Sequence, residues 1–400
     1  MNKKLLAVAV AGVFAAPVAA LAQSSVTISG QIKGGFEGES IGNYSAARPA
    51  GSNKSTTGVV DDSSAIVFTV LEDLGNSMQA EVRLDFRPTI NNGGSSNNNL
   101  NTSGGGVSTF GAGDNTHLGL KSKQWGTIFV GRQDLHYFNT ESNITDKASL
   151  RASPVALLSY VVNKSAGVRA TAIANATRTP NVVYYKTPDF GPFWMIVAYS
   201  SSPGNASDGD IGSVGRKGRA WNINPNFSGA NWQVGYSYYS AKNDAGTVLA
   251  TSVATGDQRG DRLYGSYVWN GFKLGAAWDK SRVSGAATGV QLNNRTTWSI
   301  PVSYTWGPHS VHGYYSRAGA DKAAQWAGLD TKAREWAMAY AYELSKRTSV
   351  ALSYARINNG AAANYFMFAS TSLGLDNANT SGSLPGEKPT MWGVTLRHAF

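Results

Sequence analysis

Polar and apolar side chains alternate with a period of two along most of the chain. Between Arg334 and Ser345, REWAMAYAYELS puts Trp336, Met338, Tyr340, Tyr342 and Leu344 on one face. Glu335, Ala337, Ala339, Ala341 and Glu343 fall on the other. A helix would scatter these residues around its axis, whereas a strand sorts them. The same sorting separates Trp298, Ile300, Val302, Tyr304 and Trp306 from Thr297, Ser299, Pro301, Ser303 and Thr305. It also separates Trp232, Val234, Tyr236 and Tyr238 from Gln233, Gly235, Ser237 and Tyr239, and Phe272, Leu274, Ala276 and Trp278 from Lys273, Gly275, Ala277 and Asp279. Val350, Leu352 and Tyr354 repeat the pattern near the end; Val26, Ile28, Ile32 and Phe36 show it near the start, opposite Thr27, Ser29, Gln31 and Lys33. The apolar faces begin and end in Trp, Tyr or Phe, as girdles at two membrane interfaces require, and the opposite faces are small and polar, as a wet interior requires. A soluble β-sandwich would bury its aromatic face and carry more charge outside.

The connectors alternate in length. Short turns such as Asn270-Gly271 and Gly307-Pro308 are interleaved with long Gly/Asn/Ser/Ala-rich segments near 38–58, 89–112, 134–177, 202–217, 243–258, 283–292, 319–332 and 359–388. Taking these as hairpin tips predicts sixteen antiparallel strands with both ends on the short-turn side. The less regular strands are expected near 59–71, 178–187 and 218–227. A barrel of that size leaves an aqueous channel, whereas about eight strands would be filled by side chains. The third long segment, 134–177, differs from the others. Its apolar clusters at 155–158 and 160–162 need burial, so the segment is expected to fold into the barrel and narrow it.

Composition sharpens this picture. Charged residues make up 15% of the 400-residue chain, well below the ~25% of soluble domains, and mean hydropathy is −0.24. Lys3 and Lys4, the apolar run from Leu5 to Ala16 and Ala20-Leu21-Ala22 read as a signal peptide over 1–22, leaving the barrel domain over 23–400. No later run approaches the ~18 apolar residues of a spanning helix, so membrane residence requires a closed barrel. Cysteine is absent, which excludes disulfides, thiolate metal sites and a cysteine nucleophile. There is no G-x-S-x-G, no H-E-x-x-H and no phosphate-binding glycine turn. Five histidines and the loop carboxylates Asp208 and Asp210 form no catalytic or metal spacing, so neither enzyme activity nor a cofactor is expected.

In chain order, GQIKGGFEG, EDLGNSMQAEVRLDF, HLGLKSKQWGTIFVGRQ, RTPNVVYYKTPDFGPF, YAYELSKRTSVALSYARINN and the terminal GVTLRHAF closely resemble the general porins of β-proteobacteria. The resemblance implies a sixteen-stranded homotrimer in the outer membrane of a Gram-negative bacterium, passing ions and small hydrophilic solutes. It further implies a third loop folded inward as the constriction, and the terminal Phe400 as a barrel-assembly signal. The sequence departs from that pattern where relatives carry constriction arginines. It has Ser64-Ala65 in the second strand and Gly113-Asp114 before the fourth. Arg83, Arg132 and Arg178 remain as candidate basic wall residues, with Asp134, Glu141 and Asp146 of the third loop expected across from them.

Inward parity brings Lys33, Arg83, Lys121, Lys273 and Arg397 together with Glu81, Asp85, Asp279 and Glu343. The third loop and its exit add Lys147, Arg151, Lys164, Arg169 and Arg178. The net charge of +10 falls to +8 without Lys3 and Lys4. A weak anion preference is therefore expected, opposed by Ala65 and Asp114. Tyr184, Trp194 and Tyr239 also fall at inward parity, so an alternative is a channel specific for small aromatic or anionic metabolites. The basic surplus does not point to nucleic acid in an exported protein. Arg216, Lys217 and Arg219 in the fourth loop suit lipopolysaccharide phosphates.

Overall fold

The computed structural model describes residues 24–48, 53–91, 115–136, 147–162, 170–171, 179–201, 203, 218–243, 257–285, 288–368 and 383–400. The strands are β1 (Ser25–Gly42), β2 (Ser55–Asp61), β3 (Ala65–Gly75), β4 (Met78–Phe86), β5 (Thr116–Ser122) and β6 (Gly126–Gln133). A short helix, α1 (Val155–Ser159), leads into a two-residue ribbon, β7 (Tyr160–Val161) with β8 (Ala170–Thr171). Then follow β9 (Thr179–Lys186), β10 (Phe193–Ser200), β11 (Gly218–Ser228), β12 (Trp232–Asn243), β13 (Asp257–Trp269) and β14 (Phe272–Ser284). β15 (Gln291–Trp306), β16 (His309–Ala318), β17 (Ala333–Glu343), β18 (Thr348–Asn359) and β19 (Lys388–Ala399) complete the wall.

Each strand of the wall pairs antiparallel with its neighbour, and β1 closes the sheet on β19 from Gln31↔Ala399 to Gly42↔Lys388. The seam runs to the last residue, where Gly30 and Phe400 exchange backbone hydrogen bonds of 3.1 Å in both directions. β2 and β3 both pair with β1 and form two halves of one crossing, so the described residues make a closed barrel of sixteen spanning strands. The expected single strand over 59–71 is thus interrupted at Asp62–Ser64, with Ser63 at φ 70°. The other two irregular strands fall where expected, as β9 and β11.

Side-chain exposure follows the period-two pattern. On β17, Met338 and Tyr340 are exposed while Glu335, Ala337, Ala339 and Ala341 are buried inward. On β15, Ile300, Val302 and Trp306 are exposed and Thr297 and Ser299 buried. An outward face this apolar needs an apolar surrounding medium, and the closed sheet satisfies the backbone within it. At the short-turn rim, rings follow one another from Trp269 to Phe272, Tyr304, Trp306, His309 and Tyr340 at centroid spacings of 4.2–6.4 Å. Nearer the long loops lie Phe36–Trp392, Tyr199–Trp221 and Trp336–Tyr354. These are the two aromatic belts of a membrane barrel. The turn Asn270-Gly271 has φ of 45° and 82°, the left-handed pair of a two-residue hairpin.

Candidate functional site

The third loop turns into the barrel along 147–162, the longest of its described stretches. Its apolar residues drive this. Ala148, Ala152, Ala156, Leu157, Tyr160 and Val162 pack against inward residues of β16 to β18, including Tyr314, Ala337 and Ile357. Leu158 meets Tyr264 and Ala277, and Val161 with Leu135 joins Val182, Tyr239 and Val283. Each fully buried Leu or Val contributes about 1.5–3 kcal/mol relative to exposure.

Polar contacts fix the position. α1 is too short to satisfy its own last carbonyls. Arg262 and Arg295 donate to Leu158 O at 3.3 and 2.8 Å. Asp279 holds Arg262 at 3.1 Å, accepts from Ser281 Oγ, and lies 3.4 Å from His136 Nε2. Burial holds the His136 imidazole below its ordinary pKa, more than Asp279 raises it. At the other end of the segment, Arg151 reaches three carboxylates of the wall: Glu37 at 3.0 Å, Glu39 at 3.6 Å and Asp62 at 3.9 Å. Lys33 bonds Asp62 and Ala148 O, and Leu150 N donates to Asp62 Oδ1 at 2.8 Å. Asp62 occupies the break between β2 and β3, so the interruption of that strand creates an anchor for the loop. Lys147 pairs with Glu343 on β17.

The wall from β3 to β10 carries a second group of charges. Arg83 and Arg87 share Asp85, and Arg87 also donates to Ser63 Oγ at 3.1 Å. One strand over, Gln133 Nε2 donates to His117 Nδ1 at 2.6 Å, so the Nε2 proton of His117 goes to Glu81, 2.9 Å away. Lys121 also pairs with Glu81. The His117 ring stacks on Phe129 at 3.9 Å, and Phe129 on Tyr184 at 5.9 Å. Gly119 makes this stack feasible, because a Cβ there would sit 2.5 Å from Phe129 Cδ1. Lys121 Nζ lies 5.6 Å from the Phe129 ring centre, and Lys186 Nζ 4.7 Å from that of Trp194.

The closed barrel fold is shared with known proteins. The family described as Gram-negative porin matches residues 6–362. The chain belongs to the Gram-negative porin family. An outer membrane porin protein of Bordetella pertussis is 26% identical over the whole of both chains. Major outer membrane protein P.IB of Neisseria lactamica is 23% identical over 94% of this chain and 99% of its own. Among solved structures, the anion-selective porin from Comamonas acidovorans superposes with a TM-score of 0.66 at 19% identity, covering 94% of this chain and all of that one. This porin is therefore an outer-membrane barrel.

The residues singled out from the sequence fare differently within the porin. Arg83 and Lys121 stand on the inner wall, as their parity predicts. Asp134 follows β6 directly and is tied to Asn115, whose Nδ2 donates to Asp134 Oδ2 at 2.8 Å. Arg132 sits at the register shift between Gly131 and Gln133, on the parity of the outward Ile128 and Val130. Arg151 is buried in its cluster of carboxylates. Asp114, Glu141, Asp146, Arg169 and Arg178 lie outside the described residues, as do 1–22, Arg216 and Lys217. The loop was expected to present acids to a basic wall. Two of those acids, Glu141 and Asp146, lie outside the described residues; along 147–162 it is the loop's cations, Lys147 and Arg151, that meet Glu343, Glu37, Glu39 and Asp62. This occurs beside Ala65, where the family resemblance implies an arginine. Sequence reasoning overlooked Glu37, Glu39, Arg262 and Arg295 as loop anchors. Continuing the inward alternation from Lys33 through Gly35 reaches both glutamates, and one step back from Thr297 reaches Arg295.

Proposed function

We propose that the chain forms a water-filled channel for passive diffusion of ions and small hydrophilic solutes, weakly preferring anions, with the third loop as its constriction. The observation that carries this reading is which inner-wall charges keep contact with solvent. The side chains of Arg83, Lys121 and Lys186 are 35%, 38% and 37% exposed. The acids are mostly covered: Glu81 is 8% exposed, Asp85 1%, and Glu37, Asp62 and Asp279 0%. Glu343, at 41%, is the counterexample, and Lys147 pairs with it. A solute thus meets more basic than acidic groups, and a low-dielectric wall focuses their field. The relative from Comamonas acidovorans is described as anion-selective, but at 19% identity that likeness supports the fold, so the preference rests on this chain's own charges.

Family kinship supports assembly as a homotrimer. The exposed Arg219 at the loop end of β11, with Arg216 and Lys217, suits lipopolysaccharide phosphates. Purified protein in planar bilayers tests the pore and the trimer together. Stepwise, long-lived conductance rising in triplets is expected. Insertion of folded β-rich protein without conductance would refute the channel, and single steps throughout would refute the trimer.

A further inference from the structure

We infer that the inner wall formed by β5, β6, β9 and β10 carries a transit subsite for aromatic carboxylates, an inference that rests on the channel reading above. The register aligns its parts. In one row, Gly119 faces Phe129, Phe129 faces Tyr184, and Tyr184 faces Ala198. In the next row toward the short turns, Lys121 faces Thr127, and Thr127 faces Lys186. Residues directly opposite on antiparallel strands share a face, so one ring platform and two ammonium groups look into the same space. The small Thr127 lies between the two lysines, which are two strands apart, roughly 10 Å at the backbone. Trp194 extends the ring surface below Lys186 on β10.

The chemistry selects an arene bearing an anion. Tyr184 and Trp194 are only half-buried, and rings prefer offset-stacked or edge-on ring partners. Tyr239, also at inward parity, is fully buried against Thr179 and His136 and takes no part. Glu81 is shared between His117 and Lys121 and is covered by them, so the exposed part of that group is the ammonium. The partner of Lys186 is Asp189 at 3.5 Å, a turn residue that is itself mostly exposed and screened. A carboxylate can pass from one lysine to the other while its ring contacts the half-buried Tyr184 and Trp194; Phe129, itself buried, backs Tyr184. A purely aliphatic anion gains the charge contact and not the stacking.

The test compares benzoate with cyclohexanecarboxylate, equal in charge and close in size, as blockers of chloride current through single wild-type trimers. Benzoate should block at about threefold to tenfold lower concentration, the size of one aromatic contact. The double variant Tyr184→Leu with Trp194→Leu should bring the ratio of the two blockers to about one. Lys186→Gln should weaken both blockers together and leave their ratio in place. A wild-type ratio of one, or a ratio unchanged in the double variant, would overturn the subsite while leaving the channel intact. Absence of chloride current in wild-type protein would instead refute the channel itself.

Discussion

Replacing Arg151 by methionine tests whether the loop is held by the charge cluster on β1 and the broken second strand. The change removes a guanidinium lying 3.0 Å from Glu37, 3.6 Å from Glu39 and 3.9 Å from Asp62. Lys33 is left as the cation nearest Asp62. At an effective dielectric near 20, a unit pair 3 Å apart is worth about 5 kcal/mol. Breaking one partner of a buried pair costs about 3–5 kcal/mol. At about 1.4 kcal/mol per tenfold, that weakens local docking of the loop roughly a hundredfold or more. The contacts of α1 with Arg262 and Arg295 remain, so residues near 147–153 should come loose while the helix stays. Single-channel recording should then show a higher mean current and flickering between levels, with folding by heat-modifiable gel migration unchanged. Adding Glu37→Gln to Arg151→Met relieves part of the uncompensated charge and should reduce the flicker. Folded Arg151→Met trimers with wild-type current and noise would refute this account of the anchor.

Deleting about 143–164 should raise single-channel conductance and relax the solute size limit, measured by liposome swelling; unchanged values in a folded trimer would place the loop outside the pore. Gly119→Ala sets a Cβ against Phe129 and the Ile128 carbonyl and should cost about 1–3 kcal/mol, seen as a lower temperature of heat-modification. His136 is held neutral by burial, so a released loop takes up the proton first. Its contribution to docking is full above about pH 6.5 and falls as pH drops through that value. Channel noise should rise from pH 7.5 to 5, and His136→Gln should flatten that rise. Deleting Phe400 removes two seam hydrogen bonds to Gly30 and should lower the yield of assembled barrel several-fold.

The barrel was legible because its membrane imposes one rule on every strand. Outward positions must be apolar and inward ones wet, so alternation survives even in β11, and in β9 beyond the register shift, from Val182 on. The break at Asp62–Ser64 was not legible, because alternation continues through Val60 and Asp62 into Ser64. The need for the break comes from Lys33 and Arg151, which are far away in sequence. Inward placement of the third loop followed from its apolar clusters, which have no use on a solvated tip. The partners of Arg151 did not follow, since Glu37 and Glu39 on β1 and Asp62 in the break after β2 are brought to it only by the closed barrel. Lumen parity correctly identified Tyr184 and Tyr239 as inward, but parity cannot tell the half-buried ring from the one sealed behind His136.

The most direct test of the account is the zero-current potential of wild-type trimers across a potassium chloride gradient at low salt, where screening is least. The exposed Arg83, Lys121 and Lys186 predict a modest preference for chloride that declines as salt rises. Neutralising Lys121 together with Lys186 should move the potential toward zero. A clear preference for potassium at low salt would contradict the account and make Asp114 the first residue to substitute.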